Sequence, residues 1–146
     1  MSAKNEKAHA ARLRRRNDTP TGTVKTIGSG KTSVCSATGY DTAKFKGACL
    51  WNGLNQKSTP PSGRYAGWVN GAHTGNCWKN LWINAKGAQG KKFAKVIDGC
   101  KFADYLDVDT GCATLWVTEA TFYELGGVEG QNEVAIKNWG FSDTAQ

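Results

Sequence analysis

Few residue types able to do chemistry occur in this 146-residue chain, and their spacing excludes more than it suggests. Beyond residue 30 the single histidine is His73, and no Gly-x-Ser-x-Gly occurs, so a nucleophile triad has no parts to be built from. Asp98 follows an apolar run, while Asp104, Asp107 and Asp109 share one loop. Asp107-Val108-Asp109-Thr110-Gly111 lacks the further ligands and the closing Glu of a calcium loop, so a solvated acidic loop is expected and no metal site. Gly30-Lys31-Thr32 looks like the end of a phosphate loop, but Lys25 stands where that motif requires glycine. The five cysteines, Cys35, Cys49, Cys77, Cys100 and Cys112, are spaced by 14, 28, 23 and 12 residues, which fits no zinc pattern. Two disulfides in an oxidising compartment, with one thiol left over, are expected. Six tryptophans remain as the other conspicuous chemistry. An indole face stacks on the apolar C–H side of a sugar ring as readily as it fills a core. Trp82 and Trp139 fall in strand patterns and are expected to be structural; Trp51, Trp68, Trp78 and Trp116 fall at turns or strand ends.

The elements that must position these groups are short strands. Apolar residues are 39% and charged residues 21%, with 18 glycines and one Met, a mix that favours strands and turns. Leu81, Ile83 and Ala85 alternate with Trp82 and Asn84; Lys86 to Lys91 has hairpin length; Phe93 to Asp98 resumes the alternation, with Ala94 and Val96 on one face and Phe93 and Ile97 on the other. Thr32 to Ala37 and Gly67-Trp68-Val69 also read as strands, and Val134 to Trp139 as the last. One short helix is expected after Thr118 as its cap, with Phe122 and Leu125 facing inward and Gly126-Gly127 stopping it. Strands around one or two short helices predict a mainly β protein, a compact six-stranded barrel.

The net charge of +7 is unevenly spread. Residues 1–17 carry six basic groups against one Glu, whereas the rest holds 13 basic and 11 acidic groups. The domain therefore shows no basic stripe, recognition helix or zinc signature, and no nucleic-acid partner is expected. Apolar runs are too short for a membrane span, so no membrane partner is expected either. Residues 1–30 are expected to be a basic, disordered segment and linker, with Leu13-Arg14-Arg15-Arg16 resembling the processing site of a pro-peptide; residues 31–146 are expected to form the domain.

Four stretches in order resemble the double-psi β-barrel proteins of the barwin, expansin and loosenin kind. They are Val34-Cys35 to Tyr40-Asp41 with Gly47-Ala48-Cys49-Leu50-Trp51; Asn76-Cys77-Trp78 to Ile83 with Val96-Ile97-Asp98-Gly99-Cys100; Leu115-Trp116-Val117-Thr118 to Gly126; and Val134 to Phe141. The resemblance implies disulfides Cys35–Cys77 and Cys49–Cys100, with Cys112 free. It implies a groove holding Tyr40, Asp41 and Asp98. Hydrolytic relatives carry a second carboxylate where this chain has Trp116, and one carboxylate cannot serve as both acid and base. The expectation is therefore a non-enzymatic, secreted, monomeric protein without cofactor. It binds cell-wall polysaccharide such as cellulose, chitin or a related glycan through Tyr40, Asp41, Asp98 and Trp116, with Trp51 and Trp78 as further stacking faces. The alternative is a secreted effector or protease inhibitor whose partner is a host or self protein, held by loops 52–66 and 101–114.

Overall fold

The computed structural model describes residues 22–53, 67–88, 90–102 and 108–142. Among them are six strands, β1 (Gly22–Ile27), β2 (Gly47–Trp51), β3 (Asn80–Ala85), β4 (Lys91–Cys100), β5 (Leu115–Thr118) and β6 (Glu133–Phe141), and two short helices, α1 (Val108–Ala113) and α2 (Glu119–Glu124). The strands close into a barrel in the order β1-β5-β2-β4-β3-β6. Two pairs, β1 with β5 and β2 with β4, are parallel and the rest antiparallel. The inward residues build one core from Val24, Ala48, Leu50, Leu81, Ile83, Ala94, Val96, Leu115, Val117, Val134 and Ile136. β3 keeps the strict alternation that its sequence announces. Closure removes every sheet edge, which lets so small a core bury most of what it has.

α2 begins as its sequence suggests. The Thr118 hydroxyl caps it by accepting from the Thr121 backbone N–H, and Phe122 is buried within it. The same hydroxyl donates to the Phe45 carbonyl and accepts the Gly47 N–H. Thr42 Oγ1 donates to the Ile27 carbonyl and accepts the Glu119 N–H. Two buried hydroxyls thus lock the 41–46 turn between the end of β1 and the start of α2.

The structure departs from the sequence reading in four places. The expected linker holds β1: Val24 is fully buried, Thr23 to Lys25 pair with β6, and Thr26 and Ile27 pair with β5. Its Thr-Val-Lys-Thr-Ile run has strand-forming β-branched residues, obscured by the Thr/Gly/Pro-rich residues before it. Thr32 to Ala37 is turn rather than strand, because serine side chains capture the backbone: Ser36 N–H donates to Ser33 Oγ, and Ser36 Oγ donates to the Gly39 carbonyl. Residues 67–69 form a buried connection; there Trp68 packs on Phe141 and Trp139, below a bridge between Asn70 and His73. The loop read as acidic and solvated contains α1, which covers the barrel end. Its last carbonyls are satisfied by two buried indoles, Trp68 Nε1 donating to Cys112 O at 2.9 Å and Trp139 Nε1 to Ala113 O at 2.7 Å. Asp104 and Asp107 lie outside the described residues.

Both disulfides join as the resemblance implies, Cys35 to Cys77 and Cys49 to Cys100, and Cys112 is a buried thiol outside both bridges. Two bridges place the folded chain in an oxidising environment. Deleting residues 1–30 removes β1 and opens the barrel, so that chain is expected to show no cooperative thermal transition, whereas one beginning at residue 18 keeps it. Cooperative melting of the shorter chain, followed by circular dichroism, would contradict the place of β1. Mapping of unreduced peptides should recover both bridges, and Cys112 should react with a thiol reagent only in denaturant. Loss of either bridge should cost about 2–4 kcal/mol.

Candidate functional site

A register shift creates the site. β2 and β4 run parallel with Ala48 opposite Val96, but the next residue of β2, Cys49, stands opposite Asp98 rather than Ile97. Ile97 is the extra residue of a β-bulge. Strict alternation from Ala94 and Val96 would have turned Asp98 into the core. The bulge turns it outward, onto the face that carries Cys49. Ile97 is fully buried, yet apart from the core cluster, under the serine turn of residues 33–36. Ser33 Oγ and Cys35 N–H both donate to the Ile97 carbonyl. Asp98 Oδ1 accepts the N–H of Val34 and of Gly99, each at 2.9 Å. The carboxylate is therefore fixed by backbone donors between two disulfides: Cys49–Cys100 is in its own strand pair, and Cys35–Cys77 anchors the turn above it.

Three of the expected residues gather around this point. Tyr40 is half-buried and bridged to Gly30. The preceding Gly39 has φ +76° and its missing Cβ would lie 2.0 Å from the Gly30 carbonyl, so only glycine permits this approach. Burial raises the Tyr40 phenol above its ordinary 10.0, and the negative charge of Asp98 raises it further. The neutral phenol is thus a hydrogen-bond donor throughout the physiological range. On the other side of Cys49, β5 places Trp116 directly opposite it. Trp116 faces outward, since its neighbours Leu115 and Val117 belong to the core. Asp98 and Trp116 are thus separated by two strand spacings, about 10 Å. Phe102 packs against Trp116 with ring centroids 5.0 Å apart, and Lys25 Nζ lies 5.9 Å from its ring.

Trp78 extends the face beyond the second disulfide. It follows Cys77, is 44% exposed, and has φ +69°, the one non-glycine residue with positive φ among those described. A bulky side chain in the left-handed region is strained by about 1–3 kcal/mol. Its backbone N–H is held by the Val96 carbonyl at 2.8 Å, and its ring meets Phe45 edge-on at 6.0 Å. Phe45 in turn lies over Gly47, where a Cβ would come within 2.7 Å of the Phe45 ring and 3.2 Å of Ile97. Phe45 and Phe102 had no signal in the sequence: each stands in a turn or loop, and only the folded contacts pair it with a tryptophan.

One expected site residue lies in the core, and another is engaged in a turn. Trp51 is 2% exposed and belongs to the core cluster. α1 covers it so closely that a Cβ on Gly111 would lie 2.5 Å from the indole. The helix leaves it no stacking face, and the sequence did not reveal that this helix seals the strand end. Asp41 is exposed, and its Oδ1 accepts the Ala43 N–H while its carbonyl accepts from Lys44 and Phe45. It shapes the turn that carries Tyr40 and Phe45. Among the described residues no three His, Cys, Asp or Glu side chains gather as a metal set. No protein-family model matches the chain, and no curated protein does.

The strain at Trp78 can be measured apart from its ring. Trp78→Gly should be more stable than Trp78→Ala by about 1 kcal/mol, because glycine accepts a positive φ without a Cβ. Equal stabilities in denaturant titration would show that the backbone is not strained. Ultraviolet titration should place the Tyr40 phenol above 10.0, and Asp98→Asn should lower it, leaving the part due to burial. In stability terms the raised phenol costs nothing below the unfolded value; stability falls as pH rises from there through the folded value.

Proposed function

We propose that this chain is a secreted, non-hydrolytic protein that binds an extended cell-wall glycan across the face running from Trp78 through Asp98 and Tyr40 to Trp116. The observation that carries it is Trp78, an exposed indole kept in a strained backbone conformation and braced by a disulfide. Neither burial nor backbone preference accounts for a tryptophan there, whereas an aromatic platform for a ligand does. Trp78 and Trp116 would stack on sugar rings at the two ends. Tyr40 would donate to, and Asp98 accept from, the hydroxyls between them. Hydrolysis needs an acid and a base on opposite sides of the bond. Asp98 supplies one carboxylate, and across the face from it stands an indole.

The family resemblance supports this reading. Two parallel strand pairs within a closed six-stranded barrel are compatible with a double-psi crossing, and the disulfides join the segments that barwin-like proteins join. An oxidising environment agrees with secretion.

Pull-down on insoluble cellulose, chitin and whole walls tests it. Trp78→Ala and Trp116→Ala should each weaken retention about tenfold, the loss of one good stacking contact. Neither should cost the 3–5 kcal/mol expected of a core tryptophan such as Trp51. Undiminished retention of a folded variant lacking Trp78, Trp116 and the Asp98 charge would overturn the glycan face and favour a protein partner. Trp116→Asp restores a second carboxylate, and slow glycan hydrolysis by that variant would support the resemblance itself.

A further inference from the structure

The outer face of β4, β3 and β6 is a second, regular surface, and Trp82 stands at its centre rather than in the core. Strand register arranges it in rows. Trp82 lies between Phe93 of β4 and Gly140 of β6. A Cβ on Gly140 would come within 2.7 Å of the Trp82 ring, so the indole lies against bare backbone there. Phe93 is 37% exposed. One row along, Asn84 lies between Lys91 and Asn138, and Asn84 Nδ2 donates to Asn138 Oδ1 at 2.8 Å. On the other side of the aromatic row, Asn80 lies opposite Lys95. An aromatic row is thus flanked on both sides by a lysine and by side-chain amide, the lysines four residues apart on one strand and about 13 Å from each other. The acids of β3, β4 and β6 are only Asp98 and Glu133, both towards strand ends and away from these rows. Lys91 Nζ lies 4.8 Å from the centre of the Trp82 ring.

We propose that this face binds an acidic glycan, a polymer of uronate type, with its chain along the aromatic row. The sugar's C–H side would meet Phe93 and the Trp82 edge, Lys91 and Lys95 would each take a carboxylate, and the amides would take ring hydroxyls. Lys91 moves from the indole to the carboxylate when ligand binds, exchanging a cation–π contact for a charge-assisted hydrogen bond. Charge complementarity selects an anionic polymer, and the oxidising environment set by the two disulfides selects glycan over nucleic acid. This surface is centred on Trp82 and meets the Trp78–Trp116 face only beside Lys95, which lies opposite Gly47 under Phe45; its function does not depend on the reading of that face.

The test is affinity electrophoresis of the full chain in gels containing polygalacturonate, a neutral glucan or single-stranded DNA. Arg14, Arg15 and Arg16 are first replaced by Gln in every sample, so that the basic segment does not bind for the domain. Polygalacturonate should retard this protein more strongly than neutral glucan or DNA, and retardation should fall with added salt. Lys91→Gln with Lys95→Gln should weaken it about tenfold or more, as should Phe93→Ala. Lys31→Gln with Lys44→Gln removes the same charge from elsewhere on the surface and should leave it nearly unchanged. Equal losses in both lysine pairs would reduce the effect to net charge and overturn the proposal. So would stronger retardation by DNA, or none by polygalacturonate. The Lys91→Gln, Lys95→Gln variant should keep its retention on cellulose and chitin, which separates this test from that of the other face.

Discussion

One inserted residue, Ile97, determines what this barrel can present to a ligand. Without the bulge that it forms, the alternation of β4 would continue from Val96 and bury a carboxylate opposite Leu50. With it, Asp98 faces outward beside Cys49, and the strand returns Gly99 to the inner side. Gly99 fits because a Cβ there would lie 2.1 Å from the Val69 carbonyl. The bulge also leaves the Ile97 carbonyl available to the serine turn, which brings the Val34 amide to Asp98. The same irregularity thus exposes the carboxylate, fixes its orientation and seats the turn above it.

The two disulfides act on this arrangement more than on the barrel as a whole. Cys49–Cys100 clamps β2 to β4 immediately beyond the bulge, and Cys35–Cys77 ties the serine turn to the residue before Trp78. A site held this way loses little conformational freedom when a ligand arrives, so more of its contact energy appears as affinity. The strain at Trp78 belongs to the same economy: closely held neighbours on both sides let one residue keep an unfavourable backbone.

Much of the barrel was legible because burial follows a period. β3, most of β4, β6 and α2 showed theirs as alternation or as a capped helix. β1 was hidden by the turn-forming residues before it, and α1 by an acidic loop sequence whose helix rests on indole contacts from distant strands. For the site, the spacing of apolar residues alone assigns Asp98 to the core; its place at the end of a strand and the resemblance to a family put it outside, and only the bulge explains how. The exposure of Trp78 and the burial of Trp51 were not separable in sequence, since both stand near strand ends within two residues of a cysteine. The cationic rows around Trp82 were invisible to overall charge, because Lys91 and Lys95 acquire a common face only through the pleat.

The proposed ligand-binding face joins Asp98 to the indoles on either side of it. Nitrogen-15 correlation spectra recorded during titration with soluble cello- and chito-oligosaccharides test it most directly. A bound oligosaccharide should shift the indole signals of Trp78 and Trp116 and the amides of Val34 and Gly99, which report the Asp98 carboxylate, and leave the buried indoles of Trp51, Trp68 and Trp139 unmoved. Shifts confined to other surfaces, or none with any oligosaccharide at millimolar concentration, would contradict it.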